Sequence, residues 1–311
     1  MMAPTMGRTE WLLLGLLSVL FGSVFLFAKV ALADLRPFTI VFGRVGIAAI
    51  VLILLVYVTG NRLPADVRLW GAFCIMGALN SLIPFSLLFW GQMHITTGLA
   101  AILNATTPLF TIVLAHVVTP DEKITPARLS GVVLGLVGVT VVIGPEALAG
   151  LGHQAVAQLA VLGAALSYAC AGLFGRRFTH RPPLIPATGQ MTATTVMILP
   201  IVCLVDQLWT LSPPRASTWG ALLGLAVPCT AVAFILYFRL LATAGATNLL
   251  LVTFLFPVST IVLGAMLLGE QLAPRHVVGT VLISLGLASI DGRLLARVRH
   301  LLMAPHAQHT E

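Results

Sequence analysis

The sequence predicts an all-α polytopic membrane protein, with ten transmembrane helices arranged as two inverted five-helix repeats. Composition is the first observation behind this. Of 311 residues, 59% are hydrophobic and 9% charged, against about 25% charged in ordinary soluble domains, and the mean hydropathy is +1.03. Most of the chain falls in apolar runs of about 20 residues, the length a helix needs to cross about 30 Å of hydrocarbon. The second observation is an internal repeat. A shift of 149 residues sets Pro108 on Pro257 and Thr111-Ile112-Val113-Leu114 on Thr260-Ile261-Val262-Leu263. With one residue of slack, Glu122 falls on Glu270, Pro126 on Pro274, Gly131 on Gly279, Leu134 on Leu282 and Gly138 on Gly286. A period of about 148 residues is far longer than that of solenoid arrays. The third observation is the placement of lysine and arginine, which follows once the spans are laid out.

Residues 1–10 read as a short cytoplasmic leader, and the first span is expected over 11–33. Ala31-Leu32-Ala33 resembles a signal-peptidase site, but the apolar run is too long for a signal h-region and Lys29 interrupts its end. An uncleaved anchor is therefore expected. Span two covers 37–58 and is closed by Gly60-Asn61. Span three covers 70–92 with Pro84 inside it, and span four covers 97–119 with Pro108 in its middle. After Pro120-Asp121-Glu122-Lys123, Thr125 as N-cap and Pro126 at the first helical position start span five, which runs to about 143. The first repeat occupies 11–145, a Gly/Ala-rich linker 146–154 and the second repeat 155–291. Its spans are expected over 155–176, 184–206, 218–242, 246–268 and 274–291, with Ser212-Pro213-Pro214 as the loop before the third of them. A basic tail, 292–311, carries Arg293, Arg297 and Arg299.

Five spans per repeat is an odd number, so the second repeat must enter the membrane from the opposite side. The basic residues test this, because cytoplasmic loops are enriched in them. With the N-terminus inside, Arg8, Arg62, Arg68, Lys123, Arg128, Arg176, Arg177, Arg181, Arg293, Arg297 and Arg299 are cytoplasmic; Arg36, Arg215 and Arg275 are outside. Lys29, Arg44 and Arg239 lie within spans. Both termini are thus expected in the cytoplasm of a prokaryotic cell, with the body in its inner membrane. The pI near 9.9 reflects these loops; no basic run interleaved with aromatics points to nucleic acid. Inverted repeats also carry a mechanistic expectation. Two similar halves in opposite orientation can exchange conformations, so that one site near the midplane opens alternately to either side.

Several of these residues carry a family resemblance. The first span ends Phe25-Leu26-Phe27-Ala28-Lys29, Gly43-Arg44 lies early in the second, Thr107-Pro108-Leu109-Phe110 in the fourth and Phe256-Pro257-Val258 in the ninth. Gly269-Glu270 is followed by Gly279-Thr280-Val281-Leu282-Ile283-Ser284-Leu285-Gly286. Over residues 11–291 the sequence resembles the EamA-type branch of the drug/metabolite transporter superfamily. The resemblance implies export or exchange of small metabolites, amino acids among them, by alternating access. The first half departs from the pattern, with Pro120-Asp121-Glu122 where a Gly-Glu pair is usual.

Lys29 and Arg44 are basic residues inside the outer part of the first half, where they could attract a carboxylate. The bland alternative is that both snorkel to the headgroups or pair with Asp34. Arg239, near the cytoplasmic end of span eight, reads as snorkelling. Pro108 and Pro257 each remove a helix hydrogen bond at matching places and read chiefly as packing kinks and hinges. The buried polar set is Asn80, Gln92, Asn104, Tyr168, Gln190, Tyr237 and Asn248. In hydrocarbon such groups need partners, so they face the bundle interior, either bonding between helices or lining a cavity. Trp90, Phe89 and Phe254 could supply apolar walls. Gly131-x-x-x-Gly135 and Gly220-x-x-x-Gly224 permit close helix approach. Glu122 and Glu270 precede helix starts, where the dipole favours a carboxylate, and read as caps.

No span carries an acid in its middle third, so the usual proton carrier is missing and His116 is a weak substitute. Cys74, Cys170, Cys203 and Cys229 show no CxxC pairing, and neither disulfide, metal nor cofactor is indicated. The reading is a secondary transporter that exports an amino acid or related metabolite, with Arg44, Lys29, Asn80, Trp90, Asn104, Tyr168, Gln190, Tyr237 and Asn248 as substrate-contact candidates. Expected partners are the small-molecule substrate and the bilayer, without nucleic acid; a homodimer is left open. An exporter of amphipathic drugs or a flippase of a lipid carrier is the transport alternative. A membrane-embedded enzyme would need acids, histidines or a nucleophile clustered at one depth, and the sequence shows none.

Overall fold

The computed structural model describes residues 7–118, 125–143, 153–178, 181–211, 213–249 and 252–291, and all regular structure among them is helical. The helices are α1 (Arg8–Ala31), α2 (Pro37–Val58), α3 (Val67–Gly77), α4 (Ile83–Gln92), α5 (Thr97–Asn104), α6 (Thr107–Val118) and α7 (Pro126–Ile143). They continue with α8 (His153–Gly175), α9 (Leu184–Ile201), α10 (Ala216–Ala226), α11 (Ala233–Leu249), α12 (Val252–Leu268) and α13 (Pro274–Asp291). Three π-helical stretches, Ala78–Leu82, Val202–Asp206 and Val227–Val232, join or extend these helices. Among the described residues seven helical stretches are long and apolar enough to cross a bilayer, including Val67–Gln92 through its π turn and Thr97–Val118 through its break. Leu129–Val142 and Leu255–Leu268 are shorter apolar helices. The result is a multi-pass helical membrane protein.

The structure treats the prolines differently from the sequence expectation. Pro84 lies inside the Val67–Gln92 span as expected, but at the start of α4, directly after the Ala78–Leu82 π turn. A proline lacks the donor for the i−4 carbonyl and clashes with it, and the wider turn relieves both conflicts. Pro228 lies at the start of the Val227–Val232 stretch for the same reason. Pro108 is not mid-helix either. The chain breaks at Ala105-Thr106, and Pro108 enters as the second residue of α6. The carbonyls freed there are taken locally, by the Thr106 hydroxyl on Leu103 O at 2.6 Å and the Thr107 hydroxyl on Asn104 O at 2.8 Å. Pro257, by contrast, lies inside an unbroken α12. The expected start of span nine at residue 246 is also displaced: α11 runs to Leu249 and α12 begins at Val252. The 1–6 part of the leader, Pro120 to Lys123, most of the linker and the basic tail lie outside the described residues.

The most extensive helix contacts join the 8–143 stretch to the 153–291 stretch: α7 with α13, α1 with α12, α2 with α9, α4 with α8, and α6 with α8. The α7–α13 seam is a glycine-to-backbone approach. A methyl group on Gly286 would lie 2.6 Å from Gly131 O, and one on Gly138 would lie 2.9 Å from Gly279 O. In the repeat register Gly131 matches Gly279 and Gly138 matches Gly286, so these two contacts are images of each other. Across α1 and α12, the Ser18 and Ser259 hydroxyls meet at 3.0 Å, and the Thr260 hydroxyl donates to Gly22 O at 3.1 Å. Phe25 stacks on Phe256 alongside. Of the two GxxxG pairs, Gly131 and Gly135 face Gly286 and Gly224 faces the Phe27 ring, whereas Gly220 meets nothing. The main core runs from Val24 and Ile40 through Phe85, Phe89 and Leu103 to Met191 and Leu225. Large apolar side chains such as Leu12, Leu54, Val196 and Met266 are exposed instead, as a bundle surrounded by lipid requires.

Candidate functional site

Arg44 is the centre of the candidate site. It lies about two turns into α2 at 1.5 Å per residue, is 5% exposed, and neither snorkels nor meets Asp34. Its Nε donates to the Thr230 hydroxyl at 3.0 Å, and its guanidinium carbon lies 3.8 Å from the Phe85 ring centroid. Thr230 belongs to the Val227–Val232 π stretch and itself donates to Leu225 O at 2.7 Å, a carbonyl that the widened turn leaves available. Cys229 is the chain neighbour of Thr230, and the Phe85 ring packs against that of Tyr168 on α8 at 6.5 Å. Arg44 Nη1 is buried and has no hydrogen-bond partner. Four helices thus meet around one cation: α2, α4, α8 and the π stretch between α10 and α11. A guanidinium face stacked on an aromatic ring is stabilised by about 2 kcal/mol when desolvated. An unpaired buried donor offsets that by about 1–3 kcal/mol. What the arrangement can do chemically is accept an oxyanion on the open edge of a planar fork.

A second polar group lies at the other π turn. Asn80 Nδ2 donates to Gln190 Oε1 at 3.2 Å, joining the Ala78–Leu82 turn to α9. Next to Asn80, the Ser81 hydroxyl is buried without a partner. Asn104 Oδ1 and Gln92 Oε1 are also buried and unpartnered, although Gln92 Nε2 donates to Phe25 O at 2.9 Å. Lys29 is engaged elsewhere. Its ammonium donates to Gln92 O at 2.7 Å and Ile95 O at 3.4 Å, at the carboxyl end of α4 where the dipole favours a cation. Trp90 is half-buried and edges onto His94. Tyr237 packs with Leu14 and Leu17 in a separate cluster around α1 and α11. Pro257 opens with Ala105, Thr253 and Ser284 onto a small cleft beside the α5–α6 break. The side chains of Asn248 and Phe254 lie outside the described residues. Glu270 does cap a helix, but not the one that follows it: its carboxylate accepts from Thr97 N, Thr97 Oγ1 and Gly98 N of α5.

The structure therefore brings together Arg44 and Tyr168, and separately Asn80 and Gln190, while Lys29 and Tyr237 belong to other contacts. Sequence reasoning did not single out Phe85 or Thr230. A signal for Thr230 was present, because the 149-residue shift sets it on Ser81, so that the two π turns that follow α3 and α10 carry a hydroxyl at matched positions.

The bundle of apolar helices thus holds one buried cation, Arg44, and a separate polar pair, Asn80 and Gln190. The EamA-like transporter family model matches this chain twice, over residues 9–144 and 155–290. The chain belongs to that family. It is 25% identical over 278 residues to a Bacillus subtilis protein named "Uncharacterized transporter YoaV", covering 88% of this chain and 94% of that one. It is 28% identical over 302 residues to a Streptantibioticus cattleyicolor protein named "Probable terminal-alkyne amino-acid exporter", covering 94% and 97%. To the Salmonella typhimurium "Probable amino-acid metabolite efflux pump" it is 26% identical over 295 residues, covering 91% and 94%. One crystal structure of another protein has the same fold at a TM-score of 0.65 and 21% identity, covering 92% of this chain and 98% of that one.

Proposed function

We propose that the protein is a secondary transporter that carries a small carboxylate-bearing metabolite, an amino acid or a close relative, out of a prokaryotic cell across the inner membrane. It works by alternating access between two inverted five-helix repeats, ten spans in all, with both termini in the cytoplasm. The observation that carries this reading is Arg44: a buried guanidinium at the junction of both halves, with one edge unpartnered. A buried donor without a partner is unfavourable by about 1–3 kcal/mol, and a substrate carboxylate on Nη1 would offset it. Support for the inverted arrangement comes from the mirrored α7–α13 contacts and from π turns one repeat apart, at Ala78–Leu82 and Val227–Val232. Support for the substrate class comes from relatives named for amino-acid or amino-acid-metabolite export.

The test is counterflow in proteoliposomes with a panel of labelled amino acids, their decarboxylated amines and neutral amides. Carboxylate-bearing compounds should exchange without nucleotide and the amines should not. Equal flux of acid and amine would remove Arg44's carboxylate role.

A further inference from the structure

We infer that three carboxylates, Asp34, Asp206 and Glu270, are the latches of a gate that closes one end of the bundle; the inference rests on the alternating-access reading above. At this end α2, α5 and α10 begin, and each has backbone N–H groups with no partner inside its own helix. The residues that open α2 and α10 are Arg36 and Arg215, whose side chains cannot accept a hydrogen bond and make no cap. In all three cases a carboxylate from the other half supplies acceptors, at α5 in addition to the Thr96 hydroxyl that caps Leu99 N. Asp206, 3% exposed, takes both Thr39 N and Thr39 Oγ1 of α2 at 2.7 Å. Glu270 takes Thr97 N at 3.0 Å, Thr97 Oγ1 at 2.6 Å and Gly98 N of α5. Asp34 takes Arg215 N at 3.1 Å, the Arg215 guanidinium and the Thr218 hydroxyl of α10.

Two local conformations aim these groups. Gly269 has φ +64°, a left-handed backbone that turns the chain at the end of α12 and returns Glu270 N to Gly264 O. Gln207, φ +51°, turns the chain just after Asp206, and Arg36 Nη1 reaches back to Asp206 O at 3.3 Å. A carboxylate at a helix N-terminus is favoured by the dipole as well as by the hydrogen bonds. Here that stabilisation exists only while the two halves are together at this end, because each helix start and its acceptor belong to different halves. Moving the halves apart breaks all three sets at once and exposes the helix starts to water, which can replace the caps. The device makes the closed end a distinct state rather than a loose approach. Leu99, 6% exposed on the first turn of α5, directly follows the two residues that Glu270 holds and reports on this end.

The test uses the full chain without its four native cysteines and with a single Leu99→Cys reporter, reconstituted in liposomes. Thr210→Cys, on the exposed loop between α9 and α10, marks the side from which this end is reached. An impermeant thiol reagent should label the reporter slowly in the parent. In Glu270→Gln and in Asp206→Asn it should label at least about fivefold faster, from the Thr210 side only, with the double variant faster still. Thr39→Val, which deletes one donor and leaves the carboxylates in place, should move in the same direction by less and covers the case that an acid variant fails to fold. A Gly98→Cys/Leu272→Cys pair, whose parent residues approach at 3.2 Å from the Cβ position of residue 98, should cross-link, stop counterflow and recover it under reductant. Labelling at the parent rate in both acid variants would overturn the latches and leave three structural caps. Absent counterflow in the uncross-linked parent would instead overturn the transport reading, and the labelling rates would still score the gate.

Discussion

The two polar regions of this molecule are built on opposite terms. At the end where α2, α5 and α10 begin, each acceptor is matched: Asp206, Glu270 and Asp34 meet two, three and four donors, and each match crosses between the halves. At the centre the polar groups are under-matched. Arg44 has one bond to Thr230 and a ring beneath it, and its Nη1 and the Ser81 hydroxyl have no partner. A fully satisfied buried network rigidifies, while a partly satisfied one is unfavourable unless something else completes it. The difference separates what holds a state from what recognises a ligand.

The sharpest way to break this contrast is at Arg44. Arg44→Gln and Arg44→Lys should lower affinity for a carboxylate substrate by roughly ten- to a hundredfold, because one charge-assisted contact is worth about 1.5–3 kcal/mol. In the glutamine variant melting temperature should stay level or rise, since an unpaired buried charge is removed. Lysine should not rescue, because the bidentate fork is lost. Binding measured on monodisperse variants decides: unchanged affinity in the lysine variant takes Arg44 out of the site.

Asp206→Asn should behave in the reverse sense. It keeps the shape but weakens two bonds to Thr39, at a position 3% exposed, so stability should fall by about 1–2 kcal/mol, the range of a lost N-terminal cap. Intrinsic affinity for substrate should be retained. A large affinity loss with normal melting would mean the acid end takes part in recognition.

Asn80 and Gln190 test a middle case, a closed pair beside unpaired neighbours. A double-mutant cycle with alanine at both positions should give a coupling near 0.6 kcal/mol, the average for side-chain hydrogen bonds inside membrane bundles. Coupling above about 2 kcal/mol would make the pair a structural clasp comparable to the acid end.

Sequence reading fared differently in the two regions. Arg44 stood out because a charge inside an apolar run is rare and unfavourable. The apolar runs likewise gave most helices to within a few residues, since hydropathy is a local property. Phe85 was not visible, and Thr230 showed only as the repeat match of Ser81, because their roles depend on which helices pack together. The π turns were hidden too; an i→i+5 bond leaves no periodicity of its own, and only Pro84 and Pro228 hint at it. Glu270 was recognised as a capping residue yet given to the wrong helix. The sequence places it before Pro274, and only the left-handed turn at Gly269 carries it across to α5. Lys29 was visible as a buried charge, but its carbonyl partners, at the last residue of α4 and just beyond it, are 63 and 66 residues away.

The smallest effect is expected where the acid end meets water. Asp34's carboxyl is held well below the usual carboxylate range, first by the Arg215 side chain, then by the Thr218 hydroxyl and the Arg215 backbone N–H. The same contacts raise the Arg215 guanidinium. A depressed folded-state pKa gives a contribution that is present above the unfolded value, about 3.9, and lost as pH falls from there toward the folded value. The gap in melting temperature between the parent and Asp34→Asn should therefore be constant from pH 8 to pH 5 and begin to close only below about pH 4. The Arg215 side chain is 67% exposed, so ions reach the pair and the gap should also narrow with added salt. It should be smaller at every pH than the gap produced by Asp206→Asn, whose carboxylate is sealed from solvent. A gap that persists unchanged to pH 3 would show that Asp34 acts through shape rather than charge. One that closes between pH 6 and 7 would assign the titration to another group. Either result would erase the gradation from buried to exposed latch within the acid end.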